Sequence, residues 1–198
     1  MLGEYEKLER LIAGADFTEF WRASLGYYYV ILRLAQGYKR LAAKKYEEAR
    51  AYFQQALSVP DNLGKNYFIP YAERARRLFY LGLCEQYLVR GEKANKHWEE
   101  ALAFDQQATF EISCDFQIMK TRYYQAFCLR GLGRFHEADV YIHGISKFAQ
   151  NAKLADSSKK LLLRWGYLGK EKDITKFNRF DTEPGITAFA TMATSVED

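Results

Sequence analysis

The side chains best suited to chemistry in this sequence are three histidines, three cysteines and several adjacent carboxylates, and their spacing limits what they can do. His136 and His143 stand seven residues apart. On a helix that is two turns, about 10.5 Å of rise, too far for both to hold one metal ion, and His97 lies in another second helix, beside Trp98. Cys84, Cys114 and Cys128 are odd in number and lack the short paired spacing of a zinc or redox site. They read as small buried hydrophobes in a reducing compartment. Glu47-Glu48 and Glu99-Glu100 have Lys or Arg nearby at helical spacing, the pattern of a solvated helix face rather than an acid–base pair. Gly82, Gly91, Gly131 and Gly133 do not form a phosphate-binding loop, and no Ser or Cys stands in a nucleophile context. The expectation is therefore a protein that is not an enzyme, with no metal site and no cofactor.

The elements that would carry these residues are helices. Phe17, Phe20, Trp21, Leu25, Tyr28, Tyr29, Leu32 and Ala35 share one helical face, behind a capping box at Asp16-Phe17-Thr18-Glu19. Ala49, Tyr52, Phe53, Ala56 and Leu57 repeat that spacing until Pro60 stops the helix. Further helices are expected from about Tyr71 to Leu88, closed by Gly91, then Lys93 to Phe104, and Ser113 to Leu132 with Gly133 in the turn. His136 to Ala149, Ala155 to Leu168 and Lys172 to Phe180 follow. No segment alternates as a strand does. With 198 residues, 48% of them hydrophobic, the chain can bury one core. We expect a single domain over 1–180 and an irregular tail over 181–198.

No basic stretch and apolar run follows Met1, so no signal peptide is read, and Leu25 to Leu34 is too short to span a bilayer. A cytoplasmic location and no membrane partner are the expectation. A net charge of +4 is too small for a nucleic-acid stripe.

Aligned on itself, the chain repeats. Gly37 precedes Ala49, Phe53 and Ala56; Gly82 precedes Ala94, Trp98 and Ala101; Ala126 precedes Ala138, Ile142 and Ile145. A fading fourth copy runs from Gly166 to Asp173 and Phe177. This pattern resembles the tetratricopeptide repeat, in which small residues let two antiparallel helices approach while a large one fills the space between them. The resemblance implies an all-α fold, an α-solenoid of antiparallel helical hairpins with three to four repeats. The spacing departs from the family: 45 residues from Ala49 to Ala94 and 44 from Ala94 to Ala138, against 34. Arg40 and Glu85 also stand where the family places a tyrosine.

In that family the first helices line a concave groove, which implies Leu34, Tyr38 and Leu41, Arg76, Phe79, Leu83 and Gln86, and Lys120, Tyr123, Phe127 and Arg130 as groove positions. The binding set taken from these is Tyr38, Arg76, Phe79, Leu83, Lys120, Tyr123, Phe127 and Arg130. Aromatic with a basic rim, it suits a protein or peptide segment with apolar anchors and some acidic character. The asparagines needed to clamp a C-terminal carboxylate are missing. Alternatives are that the same aromatics pack against the next repeat or another subunit, giving a self-associating domain, or that the chain is an accessory domain of a larger, carbohydrate-related bacterial protein. Arg74, Arg76 and Arg77 splay around their helix and read as a solvated or self-paired cluster.

Overall fold

The computed structural model describes residues 10, 22–60, 63, 69–103, 115–153 and 156–168. Regular structure among them is helical: α1 (Arg22–Ala42), α2 (Tyr46–Leu57), α3 (Ile69–Tyr87), α4 (Gly91–Ala103), α5 (Asp115–Gly131), α6 (Phe135–Asn151) and α7 (Asp156–Leu168). Three hairpins, α1–α2, α3–α4 and α5–α6, pack side by side. Each second helix rests on the first helix of the next hairpin, and α7 continues the series against α6. The chain is thus an all-α array of neighbouring helical pairs. The expected capping box at Asp16, the Ser113 cap, Cys114, the Lys172 to Phe180 helix and the 181–198 tail lie outside the described residues.

The three hairpins close with one turn geometry. The amides of Lys44, Val89 and Gly133 donate to the carbonyls of Leu41, Gln86 and Arg130, and those of Lys45, Arg90 and Arg134 to Arg40, Glu85 and Leu129. This pair of bonds is a Schellman motif, which satisfies the carbonyls left over at a helix C-terminus. The carbonyls of Lys45, Arg90 and Arg134 then accept from Ala49, Ala94 and Ala138, starting the second helix. The motif needs a left-handed residue, and φ is +59° at Lys44, +60° at Val89 and +76° at Gly133. Gly133 takes the position expected of it. Gly91 does not: it is the first residue of α4, and Val89 turns the chain in its place.

The triplets of alanine, a large residue and a further apolar residue face inward as their spacing implies. Ala49, Phe53 and Ala56, then Ala94, Trp98 and Ala101, then Ala138, Ile142 and Ile145 are all buried. Burying a side chain the size of Phe53 or Ile142 contributes ~1.5–3 kcal/mol. The opposing first helices supply small residues at the contact: Gly37 lies against the Phe53 ring, while Gly82 and Gly131 flank the Trp98 indole. The α2 helix ends at Leu57, three residues before Pro60, and Pro70 sits in the first turn of α3, where its missing N–H costs nothing. The hairpins run over 22–57, 69–103 and 115–151, and the stretches 58–68 and 104–114 fall between them.

Candidate binding surface

The first helices α1, α3 and α5 lie in a row, and their facing residues form a chain of rings. Tyr38 meets Phe53 at 5.5 Å and Tyr80 at 4.7 Å between centroids. Tyr80 stands edge-on to Phe79 at 5.0 Å, Phe79 meets Phe127 at 5.5 Å, and Tyr123 packs on Phe127 at 4.3 Å. Edge-on and tilted pairs of this kind place the positive rim of one ring on the negative face of another. The aromatic members of the expected groove therefore hold successive hairpins to one another.

Seven of the eight nominated residues are buried: Tyr38, Arg76, Phe79, Leu83, Tyr123, Phe127 and Arg130. Lys120 is half-buried. The structure brings the set onto one side of the array but inside its packing, the arrangement in which first-helix aromatics meet the next repeat. Three arginines are buried here, Arg76 and Arg130 of the set and Arg77 beside them. Arg76 Nε donates to the Tyr38 hydroxyl at 2.5 Å, and its guanidinium lies 5.2 Å and 5.6 Å from the ring centroids of Tyr38 and Tyr124. Arg77 Nη1 donates to the Ala56 carbonyl. The arginine cluster is thus neither solvated nor self-paired: two of its members cross between helices, and Arg74 pairs with Glu100 of α4.

Several residues of this packing were not singled out from the sequence. Tyr80 and Tyr124 complete the ring contacts, and Gln125 Nε2 donates to the Ala101 carbonyl at 3.1 Å. Glu85, where the family has tyrosine, is buried with its carboxylate 3.7 Å from Arg50 and 3.5 Å from Arg90, and Glu47 bridges the same two arginines at 3.0 Å and 2.6 Å. Arg40 meets Glu48 at 3.1 Å. Both departures from the family's tyrosine are charge pairs between helices. The signal available was the set of opposite charges at matching positions of facing helices.

A cleft of about 870 Å³ opens beside α6. Among the described residues it is lined by Arg130 of α5 and by Phe135, Asp139, His143, Ser146 and Lys147 of α6, with others. The Arg130 side chain is 3% exposed; its Nη2 donates to Asp139 Oδ1 at 2.7 Å, and Asp139 is 61% exposed. The guanidinium stands 5.8 Å from the Phe135 ring centroid.

The reactive side chains are quiet. Burial pushes the Cys84 thiol up to about 12 and the Cys128 thiol well above its ordinary range, so neither supplies thiolate at neutral pH. Burial also holds the half-buried His97 below the usual histidine value. Among the described residues no three His, Cys, Asp or Glu side chains are grouped to hold a metal ion, and no helix is long and apolar enough to cross a membrane. The chain matches no protein-family model, no curated protein and no solved structure at a significant level.

Proposed function

We propose that this chain is a tetratricopeptide-type repeat protein of the cytoplasm that binds a protein or peptide segment and catalyses no reaction. The observation that supports this most is the threefold use of one hairpin with the same turn bonds, two of the three with a glycine set against a large ring, stacked so that α1, α3 and α5 form one side. Arrays of this kind present extended surfaces on which a segment of another chain can lie. The buried residues of the nominated set act here as the rigid floor. Tyr38 with Arg76, and Phe79 with Phe127, fix the spacing of the helices, while Lys120 and the charged edges of the helices meet the ligand. Mild positive charge favours a partner with acidic character.

The test is a selection of random peptides displayed on phage against the full chain, with a denatured sample as control. Related sequences should be enriched on the folded protein alone. Equal recovery from folded and denatured samples would overturn the reading.

A further inference from the structure

We infer that the cleft beside α6 is the subsite for an acidic side chain of the bound segment, with an apolar neighbour of that residue resting on Phe135. The inference rests on the peptide-binding reading above and gives it a place and a chemistry. Arg130 forms the floor. Its side chain is almost wholly buried, and a cation withdrawn from water attracts an anion with less screening than a surface cation does. Its ion-pair partner among the described residues, Asp139, offsets that charge at 2.7 Å, so the excess of positive charge in the cleft comes from Lys147.

The walls add to this. Asp139, His143 and Lys147 are spaced four apart on α6 and share one face. The cleft therefore presents two cations and an imidazole against one carboxylate. Ser146 and Gln150 supply further polar groups. Phe135 is 44% exposed at the mouth, against the Arg130 guanidinium, and gives an apolar shelf beside the charge. The volume falls in the usual range for ligand clefts, roughly 300–1,000 Å³.

The experiment takes the sequence enriched in the selection above as two synthetic fluorescent peptides, with its acidic position as Glu or as Gln, and measures their affinity for the full chain. The Glu peptide should bind roughly tenfold tighter. Lys147→Glu should abolish that preference, while Lys96→Glu, the same charge change on an exposed position of α4, should leave it intact; circular dichroism confirms that both variants fold. Equal affinity for the two peptides, or equal losses in the two variants, overturns the inference and leaves peptide binding standing. If no peptide is enriched, both fall. A single-stranded oligonucleotide that binds in a Lys147-dependent way when no peptide does would assign the cleft to phosphate and also overturn it.

Discussion

Trp98 packs directly against Gly82: a β-carbon at Gly82 would stand 2.6 Å from indole Cδ1, closer than such atoms approach in folded proteins. The indole Nε1 donates to the Phe79 carbonyl at 3.2 Å, so the ring cannot swing aside without losing that bond. Gly131 of the next hairpin closes on the opposite edge, where a β-carbon would stand 2.5 Å from Cζ3. One indole thus fits between two hairpins, and its position depends on both glycines.

Gly82→Ala is expected to destabilise the fold by about 1–3 kcal/mol, the cost of overpacking a closed core. Gly91→Ala is the matched control. A β-carbon there meets nothing within 4 Å, and at a helix start alanine should be neutral or stabilising by about 0.5–1 kcal/mol. Urea unfolding of the two variants measures the difference, and equal midpoints would contradict the packing.

Val89 turns the second hairpin at φ +60° while 92% exposed. A β-branched residue is strained there, and no burial compensates. Val89→Gly should raise stability by ~1 kcal/mol, relief of left-handed strain outweighing the added freedom of the unfolded chain. The converse, Gly133→Val, should lower it by at least as much. Thermal unfolding of both reads the result, and a destabilised Val89→Gly would refute the assignment of this turn.

The thiols give a pH test. Cys84 and Cys128 have folded values raised above the ordinary 9.0 by burial. The folded state therefore holds its protons where the unfolded state releases them. Their contribution is complete below about pH 9 and falls as pH rises above it, for Cys84 until about pH 12, by ~1.4 kcal/mol per pH unit per thiol. Measured against pH in a Cys114→Ser background, Cys84→Ala should lose stability less steeply above pH 9 than its parent. Parallel curves would show that Cys84 titrates normally in the fold.

Glu85 is buried between Arg50 and Arg90, both of which are partly exposed. Removing the carboxylate leaves two cations that water and Glu47 still reach, so Glu85→Gln should cost about 1–2 kcal/mol rather than the ~3–5 of a fully buried pair. Glu85→Gln combined with Arg90→Gln should cost less than the sum of the two singles. A double-mutant cycle by urea unfolding checks this, and strict additivity would exclude coupling.

The second-helix triplets were legible because small–large–small spacing is a local property that survives stretching of the repeat. Ala49, Phe53 and Ala56 fall where their spacing puts them. The depth of the first-helix residues was not legible. Tyr38 and Phe127 differ from open groove residues only in what the neighbouring helix does, and that depends on packing across some forty positions of chain. Arg76 and Arg77 show the same limit: hydropathy places arginine outside, while Tyr38 and the Ala56 carbonyl supply the partners that let it stay within. The turn at Val89 was hidden for another reason. Glycine is the usual marker of a left-handed position, and here the glycine stands two residues later.

The identical turns also have a mechanical consequence. Because each hairpin bears on its immediate neighbours, tension applied along the array would reach one inter-hairpin seam at a time. The chain should lengthen in steps as hairpins peel from an end, each releasing the 44 or 45 residues of one repeat. At full extension that is roughly 150 Å per step. The Trp98 seam, pinned from both sides by Gly82 and Gly131, would be the stiffest link in that spring.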